Sequence, residues 1–115
     1  MEIRIIRTPI PLSEIAKMAQ DQFGDFIKAV VDIERRIMAL GGELHSDEEA
    51  LLLEDASRQE NLWGINIYPQ NPANERVEFD SMINVRPAQN NRSRNVEDSR
   101  IREQILKIVS EMVLS

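Results

Sequence analysis

Asparagine and arginine side chains concentrate between residues 84 and 95, directly before a predicted helix. Arginine offers paired planar donors to phosphates and carboxylates, and the first amides of a helix attract anions. We therefore predict a binding site for an anionic small molecule or an acidic partner, formed by Asn84, Arg86, Asn91, Arg92 and Arg94. The alternative is a solvated polar loop whose arginines pair with nearby acids, namely Glu78, Asp80, Glu97 and Asp98.

A second candidate site surrounds the single histidine of the chain. In an extended segment alternate side chains point the same way, so Glu43, His45 and Asp47 would together offer ligands to a metal ion. This predicts a metal-assisted hydrolase as the alternative function, using Glu43, His45 and one or more of Asp47, Glu78 and Asp80. The competing interpretation is a loop histidine beside the acidic first turn of a helix.

Two further chemical roles compete with plain packing. His45 could act as a general base toward Ser81 or Ser93, but neither serine lies in a nucleophile elbow. Ser81 also falls on the apolar side of its predicted strand. Trp63 could stack on a base, but it alternates in phase with apolar neighbours. The sequence favours core packing for both Ser81 and Trp63.

Familiar catalytic and cofactor motifs are missing from the sequence. It contains no phosphate-binding loop, dinucleotide-binding glycine pattern, zinc-protease helix or EF-hand loop. Catalytic residues and a cofactor are therefore unassigned.

Composition indicates a folded chain without cysteine. The 115 residues are 42% hydrophobic and 30% charged, which predicts a single domain over residues 1–115. Without cysteine the chain forms neither disulfides nor thiolate metal sites. No apolar run reaches about 18 residues, and the charged start does not match a signal peptide. We therefore expect a cytoplasmic protein that does not contact membranes.

The net charge of −6 is unevenly distributed. Residues 1–60 contain 13 acidic and 7 basic residues, whereas residues 61–115 contain 7 of each. A general grip on nucleic acid requires lysine and arginine gathered on one face. The charge distribution therefore argues against nucleic acid as a partner.

Hydrophobic spacing predicts helices and strands along the whole chain. In the first half we expect a strand over residues 2–6, a helix over 12–22, and a β-hairpin over 27–40 whose turn exceeds two residues. A helix over 47–56 follows, with Ser46 and Glu49 as a capping box. In the second half we expect strands over 63–67 and 77–87, a loop, and a helix over 99–114 capped by Asp98.

The order β-α-β-β-α-β-β-α predicts the α+β class. Helices that separate pairs of strands indicate a mixed or mainly antiparallel five-stranded sheet with helices mainly on one face. An open sheet edge or the polar strand face would also allow a third functional possibility, a structural homodimer without a ligand.

Five segments carry a family resemblance: GGELH (41–45), DEEALLL (47–53), QENLWGINIYP (59–69), FDSMINVRP (79–87) and NRSR (91–94). Together they resemble a family of short prokaryotic proteins catalogued only as a domain of unknown function. The resemblance covers nearly the whole chain and implies no particular activity.

Overall fold

The computed structural model of the protein describes residues 2–115, which form three helices and seven strands. The helices are α1 (Leu12–Asp21), α2 (His45–Glu54) and α3 (Ser99–Met112). The strands are β1 (Arg4–Ile6), β2 (Ile10–Pro11), β3 (Ile27–Asp32), β4 (Ile37–Leu40), β5 (Leu62–Ile67), β6 (Val77–Glu78) and β7 (Val113–Leu114). The predicted order is confirmed apart from the two-residue strands β2 and β7.

Five strands form one antiparallel sheet in the order β1-β4-β3-β5-β6. Its centre is β3, which pairs with β4 through Ala29 and Leu40 and with β5 through Val30 and Gly64. Strands β2 and β7 lie apart and pair in parallel. The predicted α+β class, with a mainly antiparallel five-stranded sheet, is confirmed.

Helices cover both faces of the sheet. Successive side chains of a strand point to opposite faces, so Ala29 and Val31 of β3 pack with α1 and α3, whereas Val30 packs with Leu52 of α2. Two of the three helices thus share one face, in agreement with the prediction. Helix α2 alone covers the opposite face, and this is the face that carries the candidate site.

The β3–β4 turn is longer than two residues, as predicted. The Asp32 carboxylate accepts hydrogen bonds from the amides of Glu34 and Arg35, both at 2.9 Å. Arg36 closes the turn in the left-handed region, with φ of 58°. Because glutamate and arginine resist positive φ at two successive positions, the chain places only one residue there and uses a longer turn.

Helix α2 starts earlier than predicted, and the predicted capping box is wrong. The residue preceding the helix is Leu44, and no side chain caps the first turn. The carboxyl group that binds the backbone before the helix is that of Glu48, whose Oε2 accepts from the Gly42 amide at 2.9 Å. Ser46 and Glu49 lie inside the helix, because burial of His45 and Glu48 against the sheet sets its start.

The predicted strand over residues 77–87 is wrong beyond Glu78. A 3-10 turn occupies Met82–Asn84, and the side chain of Ser81 accepts from the Ile83 amide. The edge of β5 is instead paired by the side chain of Asn84. Its Oδ1 accepts from the Gly64 amide at 2.8 Å, and its Nδ2 donates to the Gly64 carbonyl at 2.9 Å. One amide side chain thus replaces the peptide group of a neighbouring strand.

Close packing around Gly64 gives a first testable prediction. A Cβ at this position would lie 2.5 Å from the Cβ of Ser81, which is itself 1% exposed. We expect Gly64→Ala to lower the free energy of unfolding by about 2 kcal/mol or more, because neither the strand nor the buried serine has room to move. Urea denaturation measures this. The double variant with Ser81→Gly should recover part of the loss, and equal stability of Gly64→Ala and wild type would contradict the packing.

Helix α3 begins as predicted, with Asp98 accepting from the Arg100 amide at 2.8 Å. It ends at Met112, where Val113 and Leu114 turn into β7, so the last predicted helical residues are instead a strand. None of the helices within residues 2–115 is long and apolar enough to span a bilayer.

Candidate functional site

The two predicted asparagine ligands are structural groups inside the loop. Asn84 and Asn91 are 0% and 3% exposed. Asn91 donates to the carbonyls of Asn84 and Asn95, both at 2.7 Å, and accepts from the Glu97 amide at 2.8 Å. Asn84 pairs with Gly64 and also donates to the Arg94 carbonyl at 3.0 Å. Their polar atoms hold the backbone in place.

The side chain of Arg86 also makes structural contacts within the protein. Its guanidinium lies 4.1 Å from the centroid of the Trp63 ring and donates to the carbonyls of Gln59 and Leu62. Burial lowers the pKa of Arg86 from its ordinary value. Trp63 itself is 2% exposed, which confirms its predicted place in the core. Arg86 thus seals the end of β5 and stacks on a core aromatic ring.

The outer part of the predicted loop closes on Glu97. Its Oε2 accepts from the Ser93 hydroxyl and from the amides of Arg92 and Ser93, each at 2.8 Å. The Ser93 hydrogen bond, together with those two amides, holds the pKa of Glu97 below its ordinary value. Ser93 is therefore a turn-stabilising hydroxyl. The Arg92 side chain is exposed and forms no ion pair among residues 2–115.

The predicted metal ligands do not converge. Residues 2–115 contain no group of three or more His, Asp and Glu side chains arranged to hold a metal ion. Glu43 and Asp47 are exposed, whereas His45 is buried. Glu78 accepts from Asn66 Nδ2 at 2.8 Å and from the Tyr68 hydroxyl, which places it at the end of β5 and β6.

Arg94 differs from the other predicted ligands because it lines a cavity on the α2 face of the sheet. We call this cavity the α2 pocket. It has a volume of about 140 Å³ and lies between the start of α2 and the 3-10 turn at Met82–Asn84, with Lys28 of β3 beside it. The lining residues are Lys28, Leu44, His45, Ser46, Ser81, Met82, Ile83 and Arg94.

The electrostatics of the α2 pocket favour negative charge. Lys28 is half-buried and forms no ion pair with a carboxylate of residues 2–115. Arg94 donates through Nε to Asp80 at 2.6 Å, which leaves both terminal amino groups without a partner in the described chain. The Lys28 Nζ lies 5.2 Å from the centroid of the Phe23 ring, which is a cation–π contact and not a counter-charge. An anion in the pocket would therefore add an ion pair that Lys28 lacks among residues 2–115.

The first turn of α2 supplies backbone donors to the same pocket. The first amides of a helix have no partner inside the helix. Here the Leu44 carbonyl accepts from the amides of Asp47 and Glu48, at 3.2 and 3.4 Å. The amides of His45 and Ser46 therefore precede the helical ladder, at the positive end of the helix dipole.

His45 has a fixed ring orientation at the edge of the pocket. It is 8% exposed, and its Nε2 lies 2.7 Å from the Ile65 carbonyl oxygen. A carbonyl only accepts, so Nε2 carries the proton and Nδ1 presents a lone pair. Burial lowers the pKa of His45, since desolvation outweighs the hydrogen bond to Ile65. The ring is therefore neutral at pH 7.

Glu48 is a second buried titratable group on the same turn of α2. It is 0% exposed, its Oε1 has no hydrogen-bond partner among residues 2–115, and burial raises its pKa to about 9. Lys28 opposes this rise, as does the hydrogen bond from the Gly42 amide. A histidine and a glutamate whose pKa values are both shifted by burial, near one lysine, are typical of a functional site.

Two larger cavities lack this chemistry. One of about 460 Å³ lies between residues 73–77 and α3, and Arg76 is its single charged lining residue. Another of about 490 Å³ lies beside β2 and the end of the chain, and it is lined without any charged side chain. Two further cavities, of about 390 and 430 Å³, do bring titratable side chains together, but all of those side chains are exposed. The α2 pocket differs because a buried titratable group, His45, is part of its lining, and it is therefore the candidate site.

Sequence reasoning missed Lys28 and Ser46, which line the pocket, and Glu48, which lies on the same turn of α2 as His45. Lys28 carried a signal, since it is the single cation within the otherwise apolar β3 run IKAVV. Glu48 carried a weaker one, because it falls three residues after His45 and four before Leu52, on one face of a helix.

Comparison with curated proteins and with solved structures finds no significant match. A family model described as "Protein of unknown function (DUF5674)" matches residues 4–112, which is nearly the whole chain. This agrees with the resemblance carried by the five segments between residues 41 and 94. The chain therefore belongs to the DUF5674 family of proteins of unknown function.

Proposed function

We propose that the protein is a small binding module that holds an anionic ligand in the α2 pocket. The observation that carries the proposal is the lining of this cavity by Lys28, which forms no ion pair with a carboxylate of residues 2–115, together with Arg94 and the start of α2. This proposal shifts the anion site predicted for the 84–95 loop toward α2 and retains Arg94 as a ligand.

The buried asparagines support this proposal by positioning Arg94. The Arg94 carbonyl accepts from Asn84 Nδ2 at 3.0 Å and from the Ser81 amide at 3.1 Å. Asn84 is in turn anchored on Gly64 of the central sheet. A rigid chain of contacts thus runs from β5 to the backbone that presents the guanidinium, as ligand binding requires.

The size of the pocket limits the ligand. Cavities that take drug-sized molecules measure roughly 300 to 1,000 Å³, whereas the α2 pocket measures about 140 Å³. A single oxyanion or carboxylate therefore fits, and a nucleotide base would have to remain outside. Leu44 and Met82, which are 53% and 65% exposed at the rim, would contact any apolar part of a larger ligand.

Calorimetric titration with inorganic phosphate tests the proposal. We expect wild type to bind phosphate, and Lys28→Met and Arg94→Gln each to weaken binding by about tenfold or more, because each removes a cationic donor. Lys107→Met is the matched control on the exposed side of α3 and should bind as wild type. Arg92→Gln separates the pocket from the outer loop: if it abolishes binding while Arg94→Gln does not, the site is in the loop.

Other predictions from the sequence stay predictions. A cytoplasmic location and a prokaryotic origin belong to this group, as does a homodimer. The β1 edge is the longer of the two sheet edges and is where a second copy would add its strand. Light scattering at high protein concentration measures the mass and tests the homodimer.

A further inference from the structure

The α2 pocket combines anion donors with one group that only accepts. The donors are Lys28, the terminal amino groups of Arg94, and the amides that begin α2. The acceptor is Nδ1 of His45, since Nε2 is fixed on the Ile65 carbonyl at 2.7 Å. His45 is more than nine-tenths buried, and Nδ1 has no partner among residues 2–115.

An acceptor inside an anion site discriminates between oxyanions. An oxygen that carries a proton donates to the lone pair, whereas an ionised oxygen in the same place is repelled by it and leaves Nδ1 without a hydrogen bond. Asp80 adds a second acceptor near the rim, since its Oδ1 receives Arg94 Nε at 2.6 Å and its carboxylate retains free lone pairs.

We propose that the α2 pocket selects a proton-bearing tetrahedral oxyanion, inorganic phosphate, over the fully ionised sulfate, with Nδ1 of His45 as the specificity-determining acceptor. This inference rests on the proposed anion-binding function and names its ligand class. The cavity of about 140 Å³ suits one such ion.

The charged groups around His45 keep the acceptor in this form. Burial is the largest cause of the lowered pKa of His45, and Lys28 from β3 and Arg94 from the loop lower it further. The hydrogen bond to the Ile65 carbonyl and the charge of Asp80 act in the opposite direction. Glu48, on the same helix, is held protonated by its burial and adds no opposing charge at pH 7. The acceptor role therefore persists through neutral pH.

Four anions of matched geometry test the selection. At about pH 8 phosphate and arsenate carry two charges and one proton, whereas sulfate and selenate carry two charges and no proton. Isothermal titration of wild type should show phosphate and arsenate binding at least about tenfold more tightly than sulfate and selenate. All four anions are tetrahedral and carry two charges at this pH, so a difference in affinity of this size is due to the proton on phosphate and arsenate.

A substitution of His45 tests whether this residue causes the difference in affinity between phosphate and sulfate. In His45→Leu no acceptor remains at this place, so the phosphate-to-sulfate ratio should fall toward one. The wild-type ratio remains decisive if this variant does not fold. Equal affinity for phosphate and sulfate in wild type would overturn the selection and leave anion binding intact, whereas no binding of any of the four anions would overturn both.

Discussion

Replacing Glu48 by glutamine should make the protein more stable at pH 7. Burial raises the pKa of Glu48 from 4.5 to about 9, so the folded protein keeps this carboxyl protonated while the unfolded chain ionises it. The stability that the group contributes is complete below about pH 4.5 and is lost as the pH rises toward 9. Glutamine is neutral in both the folded and the unfolded protein and retains an acceptor for the Gly42 amide. The Glu48→Gln variant therefore does not lose this stability as the pH rises.

The expected gain at pH 7 is on the order of 2 to 3 kcal/mol, a rise in Tm of roughly 5 to 10 °C. Urea denaturation from about pH 5 to 8.5 should show the gap between Glu48→Gln and wild type widening as the pH rises. Glu54→Gln, an exposed carboxylate at the end of the same helix, is the control and should change stability by less than about 1 kcal/mol. A gap that is constant or that narrows with pH would show that Glu48 ionises in the folded state.

Replacing Asn84 by alanine should cause one of the largest losses of stability in the chain. The side chain is 0% exposed and makes hydrogen bonds to both backbone groups of Gly64 and to the Arg94 carbonyl. Alanine leaves the amide and the carbonyl of Gly64 unpaired in the interior, where each costs about 1 kcal/mol or more. The Arg94 carbonyl loses one of its two donors and keeps the Ser81 amide. We expect a loss of about 3 kcal/mol, a fall in Tm on the order of 10 °C.

The same variant should also weaken phosphate binding, because the backbone that presents Arg94 loses its anchor on β5. Thermal melts measure the first effect and calorimetry at low temperature measures the second. Asn74→Ala, which alters an exposed asparagine near β6, is the matched control and should leave both unchanged. An Asn84→Ala protein with the Tm of wild type would show that another group pairs with Gly64.

The sequence was sufficient to predict the fold where the hydrophobic period is regular and the ends carry clear signals. Helix α3 has an apolar stripe and a capping aspartate, and the hairpin of β3 and β4 has two apolar runs around a polar turn. These local signals agree with the tertiary packing, so both elements were predicted to within a few residues.

The structure of the segment after β6 could not be predicted, because its alternating apolar and polar residues do not belong to a strand. Ser81 and Ile83 match a strand with period two, yet Ser81 packs against Gly64 directly before a 3-10 turn that contains Ile83. The pairing partner of β5 is the side chain of Asn84, and period two carries no signal for a side chain that replaces a strand.

The candidate site was predicted only in part for a related reason. The number of arginines and asparagines indicates a polar loop, but it does not show which side chains bind the protein's own backbone. Asn84, Arg86 and Asn91 all donate to backbone carbonyls and are therefore not available to a ligand. Lys28 and His45 lie 17 residues apart in sequence and meet at the α2 pocket only because α2 crosses the sheet.

Titration of isotopically labelled protein with inorganic phosphate, followed by amide chemical shifts, tests the central claim most directly. Anion binding in the α2 pocket predicts saturable shifts concentrated at Lys28, at residues 44–47 and 81–83, and at Arg94. Lys28→Met should abolish these shifts while the rest of the spectrum is unchanged. Saturable shifts confined to residues 86–93, or no saturable shift at any amide, would contradict the claim.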